Sequence, residues 1–232
     1  MRKLIRRLLL ALFRRLSDEA YKDFFADALR QRVGRSSPVQ ALRLLFRLED
    51  EIARQEDVCA EAYGDGVHVK HRLTEYHEFF LSRISDGDRV LDVGCGNGAV
   101  AHDIATARKA DVTAIDKEPG RIEAATRRFP HPKIDYRVGD ATEDLPGGGF
   151  DVVVLSNTLE HVEDRLSLLR SLVRASPTAR LLVRVPVYER DWRVPLRKEL
   201  DEKWRLDSTH ATEYTIETFQ KEMAAADLTI AQ

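Results

Sequence analysis

The sequence predicts an α/β fold, a doubly wound and mostly parallel sheet behind an N-terminal helical extension. Three observations carry that reading. From Asp88 onward, short apolar runs alternate with stretches of helical periodicity. The run Val90-Leu91-Asp92-Val93 breaks into glycines at 94, 96 and 98 and resumes as Ala99, Val100, Ala101 and Ile104 at helical spacing, which is strand, tight turn and helix. Phe150 to Leu155 is a continuous apolar run of the kind buried on both faces of a parallel sheet. With 232 residues the chain has room for one such domain and an appendage. The expected division is a helical extension over 1–85 and a sheet domain over 86–232, with an insertion at about 187–213.

Residues 1–16, MRKLIRRLLLALFRRL, hold six basic residues and no acid. Wound as a helix, Leu4, Ile5, Leu8, Leu12 and Leu16 fall on one side and most of the cations on the other. Such a basic amphipathic helix suits an anionic membrane surface, or else packs on protein with its arginines solvated. Its longest uncharged run, Leu8 to Phe13, is far short of the roughly 20 residues of a transmembrane span, and no signal-peptide cleavage site follows. Residues 17–57 continue as helix, broken at Gly34-Arg35-Ser36-Ser37-Pro38, with Pro38 suited to a helix start. After the turn Tyr63-Gly64-Asp65-Gly66 come His68, His71 and His77. A metal reading of these three lacks any nearby cysteine, and no metal is expected. Instead a helix with Leu73, Phe79, Phe80, Leu81 and Ile84 is expected to pack on the sheet, turning His71, Arg72 and Tyr76 toward a ligand.

The sheet domain then reads in order. Strand one is 89–93 with its helix at 98–108. Strand two covers 111–115 and delivers Asp116, followed by a helix after Pro119. Strand three lies at 134–138, strand four at 150–155 with a helix over 158–175, and strand five at 180–185. A helix at 216–226 and a sixth strand at 228–231 complete the reading. Ligands of such sheets sit at the carboxyl ends of the strands.

A net charge of -2 supplies no global basic field for nucleic acid. Cys59 and Cys95 form neither a disulfide framework nor a metal spacing, which fits a reducing, cytoplasmic compartment.

Two readings of the glycine turn compete. Gly94-x-Gly96-x-x-Ala99 satisfies a loose dinucleotide fingerprint with Asp116 as its ribose acid, which would make the chain a nicotinamide-dependent oxidoreductase. Asp92 beside the turn would repel a pyrophosphate, but it suits the ammonium and sulfonium of S-adenosylmethionine. From Val90 to Gly98 the sequence resembles the first motif of class I S-adenosylmethionine-dependent methyltransferases. The resemblance continues through Asp116, Gly139-Asp140-Ala141 and Leu155-Ser156-Asn157-Thr158-Leu159-Glu160-His161-Val162, the last similar to quinone-biosynthesis-type small-molecule enzymes. Four motifs in the right order cover about 88–232.

The resemblance implies a Rossmann-like sheet, S-adenosylmethionine as cofactor, and leading helices that act as a lid. Its cofactor residues map onto Asp92, Gly94, Cys95, Gly96, Asn97 and Gly98 in the turn, Asp116 at the ribose with Lys117 beside it, Asp140 and Ala141 at the adenine, and Asn157 at the methionine part. Methyl transfer is an in-line displacement that asks mostly for alignment and exclusion of water. A hydroxyl acceptor also needs a base, for which His161 and His210 are the candidates, each with a plain structural alternative. No Asn-Pro-Pro-Tyr-like segment follows strand four, which argues against DNA bases as substrate. Tyr188 and Trp192 in the insertion suit a polar acceptor. The expected substrate is a small molecule, first a hydroxyl of a glycan or lipid-linked saccharide, with a quinone or isoprenoid acceptor as the alternative. A non-catalytic scaffold and a homo-oligomer are further readings. The class pattern ends in a sixth and a seventh strand, and here the sequence departs from it.

Overall fold

In the computed structural model, residue 7 and residues 10–66, 68–187, 191–205 and 209–231 are described, the side chain of His71 excepted. Residues 1–6, 8 and 9, half of the basic amphipathic stretch 1–16, and Tyr188 therefore lie outside the described residues.

Five short strands rich in β-branched residues, β1 (Arg89–Val93), β2 (Asp111–Asp116), β3 (Ile134–Val138), β4 (Val152–Ser156) and β5 (Arg180–Arg184), form one sheet in the order β3-β2-β1-β4-β5. Every pairing is parallel, with Asp92 opposite Ala114 on one side and Val154 on the other. The strand order reverses between β1 and β4, and the carboxyl ends of those two strands open the crevice where such sheets hold ligands.

Alternate strand residues feed two cores. Val90, Val112, Ala114, Val152 and Val154 pack on one face with Phe80, Ala101 and Ile104. Leu91, Val93, Ile115, Val153 and Leu155 pack on the other with Leu168, Leu169, Leu172 and Met223. The period of two thus sends each strand into both layers, which is why β4 has no polar position before Ser156.

The helices, in chain order, are α1 (Asp18–Gly34), α2 (Pro38–Tyr63), α3 (Lys70–Leu73), α4 (Glu78–Leu81), α5 (Ala99–Arg108), α6 (Pro119–Arg128), α7 (Arg165–Ala175), α8 (Arg193–Glu199) and α9 (Ile216–Ala225). Among the described residues, no helix is long and apolar enough to cross a membrane. The structure changes three sequence expectations. The single helix expected around Leu73–Ile84 is two one-turn pieces, α3 and α4, with Tyr76 and His77 in the bend between them. The helix expected over 158–175 starts as a 3-10 turn, Leu159–His161, and restarts at α7, where Asp164 accepts the Ser167 N–H at 3.1 Å as N-cap. The expected strand at 228–231 is not a strand, because the Leu228 N–H closes the end of α9 on the Met223 carbonyl at 3.0 Å.

The chain divides into two compact units, 1–59 with 196–203, and 60–195 with 204–232. In the first, Ser17 caps α1 through the Ala20 N–H, and Arg197 is the buried centre. Its guanidinium donates to Asp50 Oδ1 at 2.9 Å, Glu49 Oε2 at 2.8 Å and the Phe46 carbonyl at 3.2 Å, and lies over the Phe46 ring. The second unit holds the sheet.

Candidate active site

The turn after β1 is set by backbone conformation. Gly94, Gly96 and Gly98 have φ of 71, 56 and 82°, values that side chains rarely adopt. A Cβ at Gly94 would lie 2.5 Å from the Thr158 methyl, and one at Gly98 would lie 2.8 Å from the Tyr136 hydroxyl, so both glycines are also required by their neighbours. Around Gly96 the space is open within 4 Å. The Gly94 and Cys95 N–H groups both donate to the Ile115 carbonyl, at 2.8 and 3.0 Å, while the Asn97 side chain accepts from the Ala99 N–H.

Asp116 ends β2 and is 5 % exposed. One carboxylate oxygen accepts the Gly96 N–H at 2.9 Å and the other the Glu118 N–H at 2.9 Å, with the Arg121 guanidinium 3.7 Å away. This carboxylate therefore locks the glycine turn to the end of the neighbouring strand. Asp92, 1 % exposed, has an oxygen, Oδ2, with no hydrogen-bond partner among the described residues. Burial first, and the Asp116 charge second, raise its carboxyl from 3.8 to about 7. Buried beside a second carboxylate, Asp92 is costly to hold as an anion without a partner.

Past β3, Asp140 accepts from the Thr142 hydroxyl at 2.7 Å and the Thr142 N–H at 2.9 Å, bonds that pull its carboxyl below the ordinary range, with Lys117 nearby adding to the effect. The Gly139 N–H donates to the Asp116 carbonyl at 3.0 Å, so the ends of β2 and β3 are tied together, while Ala141 packs against the second core.

On the other side of the crevice Asn157 takes a φ of 54° and accepts, through its side chain, from the Arg184 guanidinium at 2.8 Å. That guanidinium also lies 4.3 Å from the centre of the Tyr76 ring, whose hydroxyl is pushed up to about 12, by burial first. Thr158 donates to the Val93 carbonyl at 2.9 Å, joining the end of β4 to that of β1.

Next to these stand His161 and His210, their rings 4.7 Å apart and edge to face. Thr209 Oγ1 lies 2.9 Å from His161 Nδ1, and Glu213 Oε1 lies 2.9 Å from His210 Nδ1. Glu160 is 1 % exposed, its carboxyl raised to about 7 by burial, and its carbonyl accepts the Ala211 and Thr212 N–H groups. Those backbone bonds bring residues 209–213 against the turn after β4.

A family profile described as a methyltransferase domain matches residues 67–232. The chain belongs to the class I S-adenosylmethionine-dependent methyltransferases. It is 40% identical over 93 residues to the 27-O-demethylrifamycin SV methyltransferase of Amycolatopsis mediterranei, covering 38% of this chain and 34% of that one. It is 41% identical over 100 residues to the ubiquinone biosynthesis O-methyltransferase of Xanthomonas campestris, covering 40% of this chain and 41% of that one. The match therefore spans well under half the length of either relative. In fold it resembles the complex of the Haloferax volcanii Trm112 methyltransferase activator with a methyltransferase, with TM-score 0.59, 19% identity and coverage of 76% of this chain and 77% of that one.

Within the methyltransferase unit, the structure brings together Asp92, the glycine turn, Asp116, Asp140 and Asn157, and separately pairs His161 with His210. Tyr76 joins Asn157 through Arg184. Lys117 and Arg72 are exposed, and Trp192 is 64 % exposed with the Arg193 guanidinium over its ring. The His71 side chain and Tyr188 fall outside the described residues. His68 accepts the Lys70 N–H, and His77 is buried against Asp103 at 2.5 Å, so both have structural partners. Sequence reasoning quoted Thr158 and Glu160 within a motif but gave no site role to them or to Arg184, Thr209 and Glu213. Arg184 ends β5 as Asp116 ends β2, a strand-end position that was legible; Thr209 and Glu213 flank His210 with no motif to mark them.

Proposed function

We propose that this methyltransferase moves a methyl group from S-adenosylmethionine to a hydroxyl of a small-molecule acceptor. The observation that carries the reading is the Asp116 carboxylate locking the glycine turn through Gly96 beside the buried, unpartnered oxygen of Asp92. The cofactor would lie across the carboxyl ends of β3, β2, β1 and β4, its ribose hydroxyls on Asp116, its adenine at Asp140 and Ala141, and its charged methionine end toward Asp92 and Asn157. Both oxygens of Asp116 keep a second lone pair after their backbone bonds, as a ribose diol requires. The acceptor would then approach from the side of His161, His210, Tyr76 and Arg184.

Two relatives named as O-methyltransferase or for methylation at a numbered oxygen position support a hydroxyl acceptor. Their substrates differ from each other, and this chain's acceptor class rests on its own crevice. The Arg184 guanidinium over the Tyr76 ring supports a phenol-like or otherwise anionic oxygen, and on that ground we put a quinone-type acceptor ahead of a glycan or lipid-linked saccharide. Peripheral membrane contact through residues 1–16 rests on their amphipathic pattern alone, and equal liposome flotation with and without those residues removes it.

Calorimetric titration with S-adenosylmethionine, S-adenosylhomocysteine and NAD, on wild type and Asp116→Ala, tests the core of the reading. Binding of the first two that the substitution abolishes supports it. NAD binding, or no binding, overturns it; cofactor binding without turnover on phenolic or sugar acceptors leaves a scaffold.

A further inference from the structure

Outside the residues given to the cofactor, one group of side chains converges on a point. Glu160, His161 and His210 each offer a ligand atom, and these atoms all lie within 4.8 Å of one another. Metal bonds of about 2.0–2.2 Å place the donors around one ion roughly 3–4 Å apart, so closing the set takes only side-chain adjustment. Glu160 is 1 % exposed, and its Oε2 has no hydrogen-bond partner among the described residues, a costly arrangement for a carboxylate unless something cationic meets it. His210 is 6 % exposed and engages Glu213 through Nδ1, which fixes the ring and leaves Nε2 as its other nitrogen. A carboxylate behind a ligating imidazole is the usual support of a metal-bound histidine. Thr209 Oγ1 stands 2.9 Å from Nδ1 of His161.

We propose that Glu160, His161 and His210 bind a divalent transition-metal ion of the zinc or cobalt type, at the acceptor end of the crevice. Two imidazoles and one carboxylate suit such an ion better than magnesium or calcium, which prefer all-oxygen sets. Three protein ligands leave one tetrahedral position open, as in zinc sites that take an exogenous oxygen. The assignment replaces the sequence reading of the two histidines as bases and of a chain without metal. It goes beyond methyl transfer and does not depend on it, because ion binding is measured on the chain by itself.

The test strips the full chain with a chelator, titrates it with Co²⁺ and with Zn²⁺, and reads bound ion per chain together with the visible ligand-field bands of the Co²⁺ form. The expected result is one ion per chain with tetrahedral-type Co²⁺ bands, and an affinity reduced in Glu160→Gln, His161→Gln and His210→Gln by more than the roughly 10–100-fold that loss of an outer partner costs. Glu213→Gln, which touches no ion, is expected to weaken binding less and to keep the Co²⁺ bands. Circular dichroism melts of each variant establish that it is folded. His161→Gln, at the least buried of the three positions, keeps the test decisive where a Glu160 or His210 variant unfolds. Absence of binding in the wild type overturns the proposal, as does binding that all three folded variants retain, since the ion would then sit on the exposed Cys59 or on the His68–His77 stretch. S-adenosylmethionine titration in the presence of chelator separates the two readings: cofactor binding with no metal binding sinks this one alone.

Discussion

The two sides of the crevice are built from different material. On the β1–β2–β3 side the working groups are a backbone turn and the carboxylates set against it: three glycines at positive φ, the Gly96 N–H held by Asp116, and strand ends tied by the Gly139 N–H. Most of these lie within one strand and one turn of each other in sequence. On the β4–β5 side the groups are side chains drawn from distant segments, with Glu160 and His161 meeting Thr209, His210 and Glu213. A backbone cradle tolerates almost no substitution and can serve one invariant ligand. A side-chain cluster can be re-equipped residue by residue, as variable acceptors require. The contrast predicts that damage on the first side abolishes cofactor binding, whereas damage to the histidine cluster on the second leaves binding intact and reduces turnover.

The largest effect is expected from Asp116→Ala, which removes the proposed ribose acceptor and the lock on Gly96 together. Cofactor affinity should fall at least about 100-fold, the worth of roughly two charge-assisted hydrogen bonds. Calorimetry reads this directly, and a loss below tenfold would break the contrast. Gly94→Ala follows. Its Cβ would meet Thr158 at 2.5 Å while the backbone holds φ at 71°, and moving Thr158 costs its bond to the Val93 carbonyl. A stability loss of about 2–3 kcal/mol is expected by denaturant unfolding. Gly96→Ala, with open space around its Cβ, should cost only about 1–2 kcal/mol of stability yet impair the cofactor more.

The same contrast explains what could be read before folding. β1, β3, the α5 and α6 starts, the glycine turn and Asp116 were legible because periodicity and glycine spacing are local signals. Asp92 was legible as a charge beside the turn, although its burial and unpartnered oxygen were not. The 3-10 break after β4 was hidden, since Leu159 through Ala175 has unbroken helical periodicity and only the Asp164 cap interrupts it. The pairing of His161 with His210 was foreseen as two separate candidates. Their meeting depends on the Ala211 and Thr212 N–H groups reaching the Glu160 carbonyl across some 50 residues, and no local pattern encodes that. The sixth strand failed because Leu228 is apolar for burial in the core beside α9, and alternation alone cannot tell that from a strand.

On the side-chain half, His161→Gln should lower kcat about 10–100-fold with cofactor affinity unchanged within about twofold, once an acceptor is found. Thr209→Val, which removes the contact to His161 Nδ1 at 2.9 Å, should lower it about threefold to tenfold. A matching loss of cofactor affinity in either variant would mean that the two halves are one site.

The smallest expected effect sharpens the role of Asp92. Its carboxyl titrates near 7 in the free protein because burial and the Asp116 charge penalise the anion, while the cofactor's ammonium and sulfonium favour it. Binding must then draw a proton off Asp92 below pH 7, so affinity should rise with pH through that region and level off above it, by at most about tenfold between pH 6 and 8. The same shift has a stability consequence of fixed sign. With the folded value raised above 3.8, the free protein loses stability as pH climbs from about 4 to about 7, and the bound cofactor restores it. The rise in melting temperature on adding cofactor should therefore be larger at pH 8 than at pH 6, and Asp92→Asn should flatten that difference while weakening binding at pH 8. A pH-independent rise in the wild type would take Asp92 out of the cofactor's charge pairing and leave its buried oxygen to the internal structure of the sheet.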